Sequence, residues 1–102
     1  MRLDQASASV ALVLALAAPA APAADVMKGG QLYRMHCASC HGASGISMMP
    51  NAPSFARGER MMQPDPMLLG SIRKGRGAMP GFFGVLSDRD TLDVIAYLRS
   101  MR

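Results

Sequence analysis

Apolar side chains recur every three or four residues in three stretches of the chain after residue 23, the spacing of one face of an α-helix. The first stretch begins near Val26, follows Asp25 as a candidate N-cap, and places Gly29 and Tyr33 on one face. No stretch shows the alternation of apolar and polar residues that predicts a β-strand. The pattern therefore predicts an all-α domain with three principal helices.

The other two helices are marked by their ends. A second helix is predicted with Asp65 as its N-cap and Pro66 in its first turn, since a cap residue followed by proline is typical of a helix start, and it is predicted to end near Gly75. The third begins after Ser87, with acidic residues in its first turn and Arg99 near its end, as the helix dipole favours. Residues 42–60 are rich in Gly, Ser and Pro and predict a long loop.

A different pattern opens the chain, where the uncharged and mostly apolar residues 8–18 follow Arg2. The run is too short to cross a bilayer, and small residues stand one and three positions before Ala24. These are features of a cleaved secretory signal peptide, with a second possible cleavage site three residues earlier. We therefore predict a signal peptide at 1–23, a mature domain at 24–102, a periplasmic location and no stable membrane insertion.

The composition of the remaining chain limits the kinds of protein it can be. About 44% of residues 24–102 are apolar, as in an ordinary soluble domain. With three Phe, two Tyr and no Trp, large aromatic side chains are too few to build a core alone. A domain this small usually needs an additional stabilising link, such as a disulfide or a bound metal or cofactor. Multidomain enzymes, coiled coils and polytopic membrane proteins are excluded.

The two cysteines suggest what this stabilising link is. Cys37 and Cys40 are separated by two residues, and His41 follows directly. A redox-active disulfide would normally follow a strand, and a zinc site would need a second ligand pair. The third reading is covalent attachment of haem c, in which both sulfurs bind the vinyl groups and the next histidine reaches the iron. Together with the predicted export, the motif favours one haem c per chain.

A haem iron held by His41 calls for a second axial ligand, and a methionine thioether is a standard partner of imidazole. Met79 lies in a glycine-rich loop, where the backbone can approach a flat macrocycle closely. We therefore predict His41 and Met79 as the iron ligands. Of the other methionines after His41, Met48 and Met49 lie too near it in sequence, whereas Met61, Met62 and Met67 are expected to pack against the haem. Met101 is the remaining methionine after His41, and a Cu(I) site is a remote alternative.

Several motifs together resemble those of class I c-type cytochromes, a family of small all-α monohaem proteins. Gly29, Tyr33 and Cys37 match the family's glycine and aromatic spaced by four before the first haem cysteine. Residues 93–99 resemble the family's last helix, and residues 73–80 resemble the ligand loop of its bacterial members. The resemblance implies a domain in which long loops surround one covalently bound haem.

The resemblance also implies further haem contacts. A proline about a dozen residues after the ligand histidine offers its carbonyl to the imidazole Nδ1–H, and Pro53 fits this role, with Pro50 as a rival. The chain lacks the tryptophan that binds a propionate in mitochondrial relatives. The candidates for that role here are Arg57, Arg73 and Arg76.

Two filled axial positions leave no vacancy for a substrate, so we expect a one-electron carrier between respiratory redox partners and not an enzyme. Two alternatives are a gas- or peroxide-reactive haem protein with a labile Met79, and a dedicated electron donor for the maturation of one enzyme. The net charge of +4 and the bases around the ligand loop, at Arg73, Lys74 and Arg76, favour weak, transient docking to acidic redox proteins. We expect a monomer that binds no nucleic acid.

Overall fold

The computed structural model describes residues 9–12 and 23–102, and among them it contains helices and no strand. The predicted signal peptide at 1–23 lies outside the described residues, apart from 9–12 and residue 23. The helices are α1 (Val26–His36), α2 (Ala38–His41), α3 (Asp65–Lys74) and α4 (Asp88–Ser100), with a 3-10 turn at Phe55–Arg57. The all-α prediction is confirmed, and the three predicted helices are α1, α3 and α4.

The helix ends differ from expectation in one place. Asp25 caps α1 as predicted, since its carboxylate accepts the backbone N–H of Lys28 at 3.0 Å. Ser87 and Asp90 form a capping box at the start of α4. In α3, however, Pro64 is the N-cap and Asp65 is already the first helical residue. The carboxylate of Asp65 is free for another use and pairs with Arg99 near the end of α4.

Helices α1 and α4 cross in direct contact because α1 presents two glycines to α4. A Cβ at Gly29 would overlap the backbone carbonyl of Asp93, and a Cβ at Gly30 would lie 2.9 Å from the ring of Tyr97. The Asp93 carboxylate, itself buried, also accepts the backbone N–H of Asp25 at 2.8 Å. The start of α1 is therefore held against α4 by both packing and a partly buried hydrogen bond.

Tyr33 stands at the centre of the core and connects α1 to the residue after His41. Its side chain is fully buried, and its hydroxyl donates a 2.6 Å hydrogen bond to the carbonyl of Gly42. Burial, with a smaller contribution from the nearby Cys37, raises the pKa of Tyr33 to about 12. The other members of the core come from α3, α4, the 3-10 turn and the loop after it: Phe55, Met61, Leu68, Ile72, Val94, Ile95 and Leu98.

The chain after α3 turns back on the end of that helix. The backbone N–H groups of Phe82 and Phe83 donate to the carbonyls of Ile72 and Arg73, at 2.9 and 3.2 Å. These bonds satisfy carbonyls that the helix leaves free at its C-terminus. They hold the loop of residues 75–81 against α3. No helix in the described part of the chain is long and apolar enough to cross a membrane.

Candidate haem site

One cavity of about 370 Å³ collects most of the side chains that the sequence singled out. Cys37, Cys40, His41 and Met79 all line it, although Met79 lies 38 residues after His41 in the chain. The walls are mainly apolar, from Phe55, Leu68, Ile72, Phe82 and Leu98 among others. The volume is within the range of about 300–1,000 Å³ that small-molecule and cofactor sites occupy.

The two cysteines lie at the junction of α1 and α2. Cys37 separates the helices, and its carbonyl accepts the backbone N–H groups of Cys40 and His41 at 3.2 and 3.0 Å. This single turn places two thiols and an imidazole at one end of the cavity. Neither thiol is in a disulfide. Burial, and to a lesser extent the neighbouring Cys40, raises the pKa of the Cys37 thiol to about 11. Before any attachment, Cys37 is therefore a neutral thiol at neutral pH.

The imidazole of His41 is buried and is held from two directions. Its Nδ1 lies 3.0 Å from the carbonyl oxygen of Pro53. A carbonyl oxygen can only accept, so Nδ1 carries the proton and Nε2 keeps a lone pair free for a metal. The ring of Phe55 stacks on the imidazole, with centroids 4.5 Å apart and planes 27° apart. Sequence reasoning missed Phe55, although its position two residues after Pro53 was a usable signal.

Met79 reaches the cavity from a tight turn. Arg76 and Met79 exchange backbone hydrogen bonds of 3.1 and 2.9 Å across the two residues between them, and Gly77 takes a φ of 55°. Gly75, with a φ of 80°, lies against the backbone of residues 79–81, where a Cβ would come within 2.6 Å of the Met79 carbonyl oxygen. Since only glycine fits that position without strain, the backbone of the turn is firmly placed.

The three arginines predicted as candidates for propionate contacts differ in whether they line the cavity. Arg76 lines the cavity and is exposed to solvent. Arg73 is not brought to the cavity: its guanidinium pairs with Asp88 at 3.2 Å and lies over the ring of Phe83. Arg73 lies on the outer side of α3, and these contacts direct its guanidinium away from the cavity. Arg57 is also absent from the lining.

Arg60 and Gln63 are among the polar side chains that line the cavity and were not predicted as haem contacts. Arg60 has a φ of 67°, an uncommon value for a residue with a side chain. Arg60 lies outside the helices, so the direction of its side chain could not be predicted from a helix or strand period. A pair of left-handed positions, Gly58 and Arg60, was not identifiable from composition alone.

The remaining methionines divide by burial. Met61 is 3% exposed and belongs to the core, but it is absent from the cavity lining. Met62 is 90% exposed and Met67 is 58% exposed, and neither lines the cavity, so the structure does not place any of the three where it was expected, against the haem. Met49 lines the cavity together with Met79. Sequence separation alone is thus not enough to remove Met49 from the set of thioethers near the site.

Several known proteins resemble this chain. The family described as cytochrome c oxidase, cbb3-type, subunit III matches residues 24–98. Cytochrome c6 of Thermosynechococcus vestitus is 34% identical over 92 residues, which cover 88% of this chain and 81% of that protein. Cytochrome c4 of Pseudomonas aeruginosa is 36% identical over 98 residues, 92% of this chain and 47% of that protein. This chain thus spans about half the length of that relative.

A solved structure, cytochrome c6 from the diatom Phaeodactylum tricornutum, shares the fold with a TM-score of 0.60 and 30% sequence identity. The match covers 74% of this chain and 92% of that one. Fold, site and relatives together define a class of protein, the small monohaem electron carriers. The chain belongs to the class I c-type cytochromes. It carries covalently bound haem c and is not an enzyme.

The described residues fit the haem that the family requires. Two thiols, an imidazole with a free Nε2 and a thioether line one cavity with apolar walls. Soft sulfur and nitrogen donors of this kind are suited to haem iron, and the apolar walls limit its contact with water. The one-turn helix α2 explains how a local sequence motif becomes a three-donor cluster.

Proposed function

We propose that this chain is exported, loses residues 1–23, and carries single electrons between redox proteins of a periplasmic respiratory chain. In this proposal His41 and Met79 are the axial iron ligands. The observation that carries the proposal is the hydrogen bond from His41 Nδ1 to Pro53, which frees Nε2 in the cavity that Met79 also lines. The family match begins at residue 24, which supports the proposed boundary of the mature domain.

Bound haem c supplies an iron that changes between ferric and ferrous states by one electron. The sulfurs of Cys37 and Cys40 would form the thioether links that hold the group in place. The carbonyl of Pro53 and the ring of Phe55 orient the imidazole of His41. The backbone hydrogen bonds between Arg76 and Met79 fix the turn from which Met79 lines the cavity, and we expect the same turn to hold Met79 there in either oxidation state. A site that does not rearrange between the two states favours rapid electron transfer.

The charged residues at the cavity suggest how partners dock. Arg60 and Arg76 line the cavity and are both exposed to solvent, and Lys74 is exposed next to the turn. A basic rim steers the protein toward acidic surfaces and gives association rates that fall as salt rises. We propose weak, transient docking of a monomer at this rim. We propose Arg76 and Arg60 as the arginines that contact the haem propionates, since both line the cavity and Arg73 does not.

Spectroscopy of protein matured in a bacterial periplasm tests the proposal. We expect a low-spin spectrum in both oxidation states that carbon monoxide leaves unchanged, because two strong axial ligands fill the iron. We also expect the mass of the mature protein to correspond to a chain that starts at Ala24 plus one haem. Rapid carbon monoxide binding would instead favour a gas- or peroxide-reactive haem protein with a labile Met79.

A further inference from the structure

The peptide group between Pro53 and Ser54 is hydrogen bonded at both ends. Its carbonyl oxygen lies 3.0 Å from Nδ1 of His41. Its N–H donates to Oε1 of Glu59 at 2.8 Å, a short bond of the kind made to a charged acceptor. A carboxylate is thus connected to the imidazole through a single planar peptide unit.

The local fold builds this contact. Gly58 takes a φ of 78° after the 3-10 turn, and this reverses the chain so that Glu59 reaches back to Ser54. The carbonyl of Ser54 accepts the backbone N–H of Glu59 at 3.4 Å, which closes the segment a second time. The guanidinium of Arg102 packs where a Cβ of Gly58 would lie, at 3.0 Å. The carboxylate is therefore placed by backbone geometry as well as by its own hydrogen bond.

The Ser54 side of the peptide group is also held. Ser54 is 4% exposed, and its hydroxyl oxygen accepts the backbone N–H of Ser47 at 2.9 Å. With Glu59 on its N–H, Ser54 joins two parts of the loop that runs from His41 to α3. Among the described residues, no basic side chain makes an ion pair with the carboxylate of Glu59. The negative charge of Glu59 is therefore not neutralised by an ion pair with any described residue.

These observations carry an inference that rests on the proposed role of His41 as iron ligand. We propose that Glu59 is a positioning residue that acts on the iron ligand through the Pro53–Ser54 peptide group. An anionic acceptor on the N–H draws electron density toward the carbonyl oxygen, because hydrogen bonds in a chain polarise one another. The stronger acceptor then tightens the hydrogen bond from His41 and increases the basicity of the imidazole.

The expected consequence concerns the balance between oxidation states. A more basic imidazole stabilises ferric iron more than ferrous iron, since the ferric state carries one more positive charge. Glu59 therefore lowers the reduction potential and slows exchange of the Nδ1 proton with solvent. It does both without entering the cavity, since Glu59 is absent from the cavity lining.

The test compares Glu59→Gln and Glu59→Ala with the parent holoprotein. Gln keeps an acceptor oxygen but no charge, whereas Ala removes the acceptor altogether. We expect the potential to rise in both variants, with the larger rise in Ala. In the ferrous protein, exchange of the His41 Nδ1 proton should accelerate by up to about twofold in Ala, as expected when loss of the neighbouring bond weakens the His41–Pro53 hydrogen bond by roughly 10–30%, and less in Gln.

Asp88→Asn is the matched control, because Asp88 is an exposed acid that is absent from the cavity lining and its replacement changes the net charge equally. A through-space effect of surface charge is screened at high salt, so any shift in this control should disappear there. The shifts in the Glu59 variants should persist. Unchanged potentials, shifts that salt abolishes, or a shifted potential with unaltered exchange in Ala would each overturn the inference.

A failure of the proposed function would look different. If His41 and Met79 are not the ligands, the parent protein itself will be high-spin or will bind carbon monoxide. If the ligands are correct and Glu59 has no role, all variants will keep the parent's low-spin spectrum and its potential. The Gln variant keeps the inference testable should Ala fail to fold, because the amide can still accept the Ser54 N–H.

Discussion

The contact between α1 and α4 can be tested by adding one methyl group. In Gly29→Ala the new Cβ would overlap the backbone carbonyl of Asp93, which cannot move without displacing α4. In Gly70→Ala, also inside a helix, the new Cβ would meet nothing within 4 Å. The two substitutions are chemically identical and differ only in what faces the glycine.

The magnitudes follow from two opposing effects. Replacing glycine by alanine inside a helix favours folding by about 0.5–1 kcal/mol, and this gain applies at both positions. Overpacking a tight contact costs about 1–3 kcal/mol, toward the upper end where the obstacle is backbone. We therefore expect Gly70→Ala to be more stable than the parent by about 0.5–1 kcal/mol. We expect Gly29→Ala to be less stable by about 1–2 kcal/mol.

Guanidinium unfolding of the oxidised holoprotein measures the difference. With a slope of about 2–4 kcal/mol/M for a domain of this size, the two midpoints should differ by roughly 0.5–1.5 M. The slopes themselves should be equal, so that the midpoints can be compared as stabilities. If Gly29→Ala gains stability to the same extent as Gly70→Ala, then α1 and α4 are not in the contact described here.

Three further predictions concern the site and its support. Met79→Ala should open the iron to carbon monoxide and lower the potential, whereas Met49→Ala, at the other thioether in the cavity, should do neither. The opposite result would make Met49 the iron ligand in place of Met79. Replacing Cys37 or Cys40 by Ala should impair haem attachment and remove much of the helical circular dichroism, because the haem completes the core; a cooperative melt of a helical apoprotein would contradict this. The pKa of Tyr33 is raised from 10.0 to about 12, so the stability it contributes is fully present below pH 10 and is lost as pH rises toward 12. That loss is about 2–3 kcal/mol, measured by unfolding at each pH, and should be absent from Tyr33→Phe.

Much of the candidate site was readable from the sequence. The spacing of Cys37, Cys40 and His41 is a local property, since one turn of backbone brings three neighbouring side chains together. The position of Met79 in a glycine-rich loop could also be predicted from the sequence. The turn that presents Met79 is formed by residues 75–81 and by their contacts with the end of α3. The geometry of these residues agrees with the prediction, while their roles as iron ligands await the experiments above.

Other features of the site depended on how loops fold. Arg73 and Arg76 are three residues apart and identical in chemistry, yet one pairs with Asp88 outside and the other lines the cavity. Met61 and Met62 are adjacent, and one is buried while the other is exposed. Outside regular helices there is no fixed period that relates sequence position to side-chain direction.

The sequence by itself determined the helices, the haem motif and the family, because capping, periodicity and covalent spacing act over a few residues. Tertiary structure alone decided which side chains meet across the long loop between α2 and α3. Phe55 on His41 and Glu59 on Ser54 are such contacts. They depend on left-handed positions such as Gly58 and on packing against distant residues such as Arg102. Long-range contacts select one conformation of that loop from many that its local sequence allows, and the surroundings of the proposed iron ligand follow from that selection.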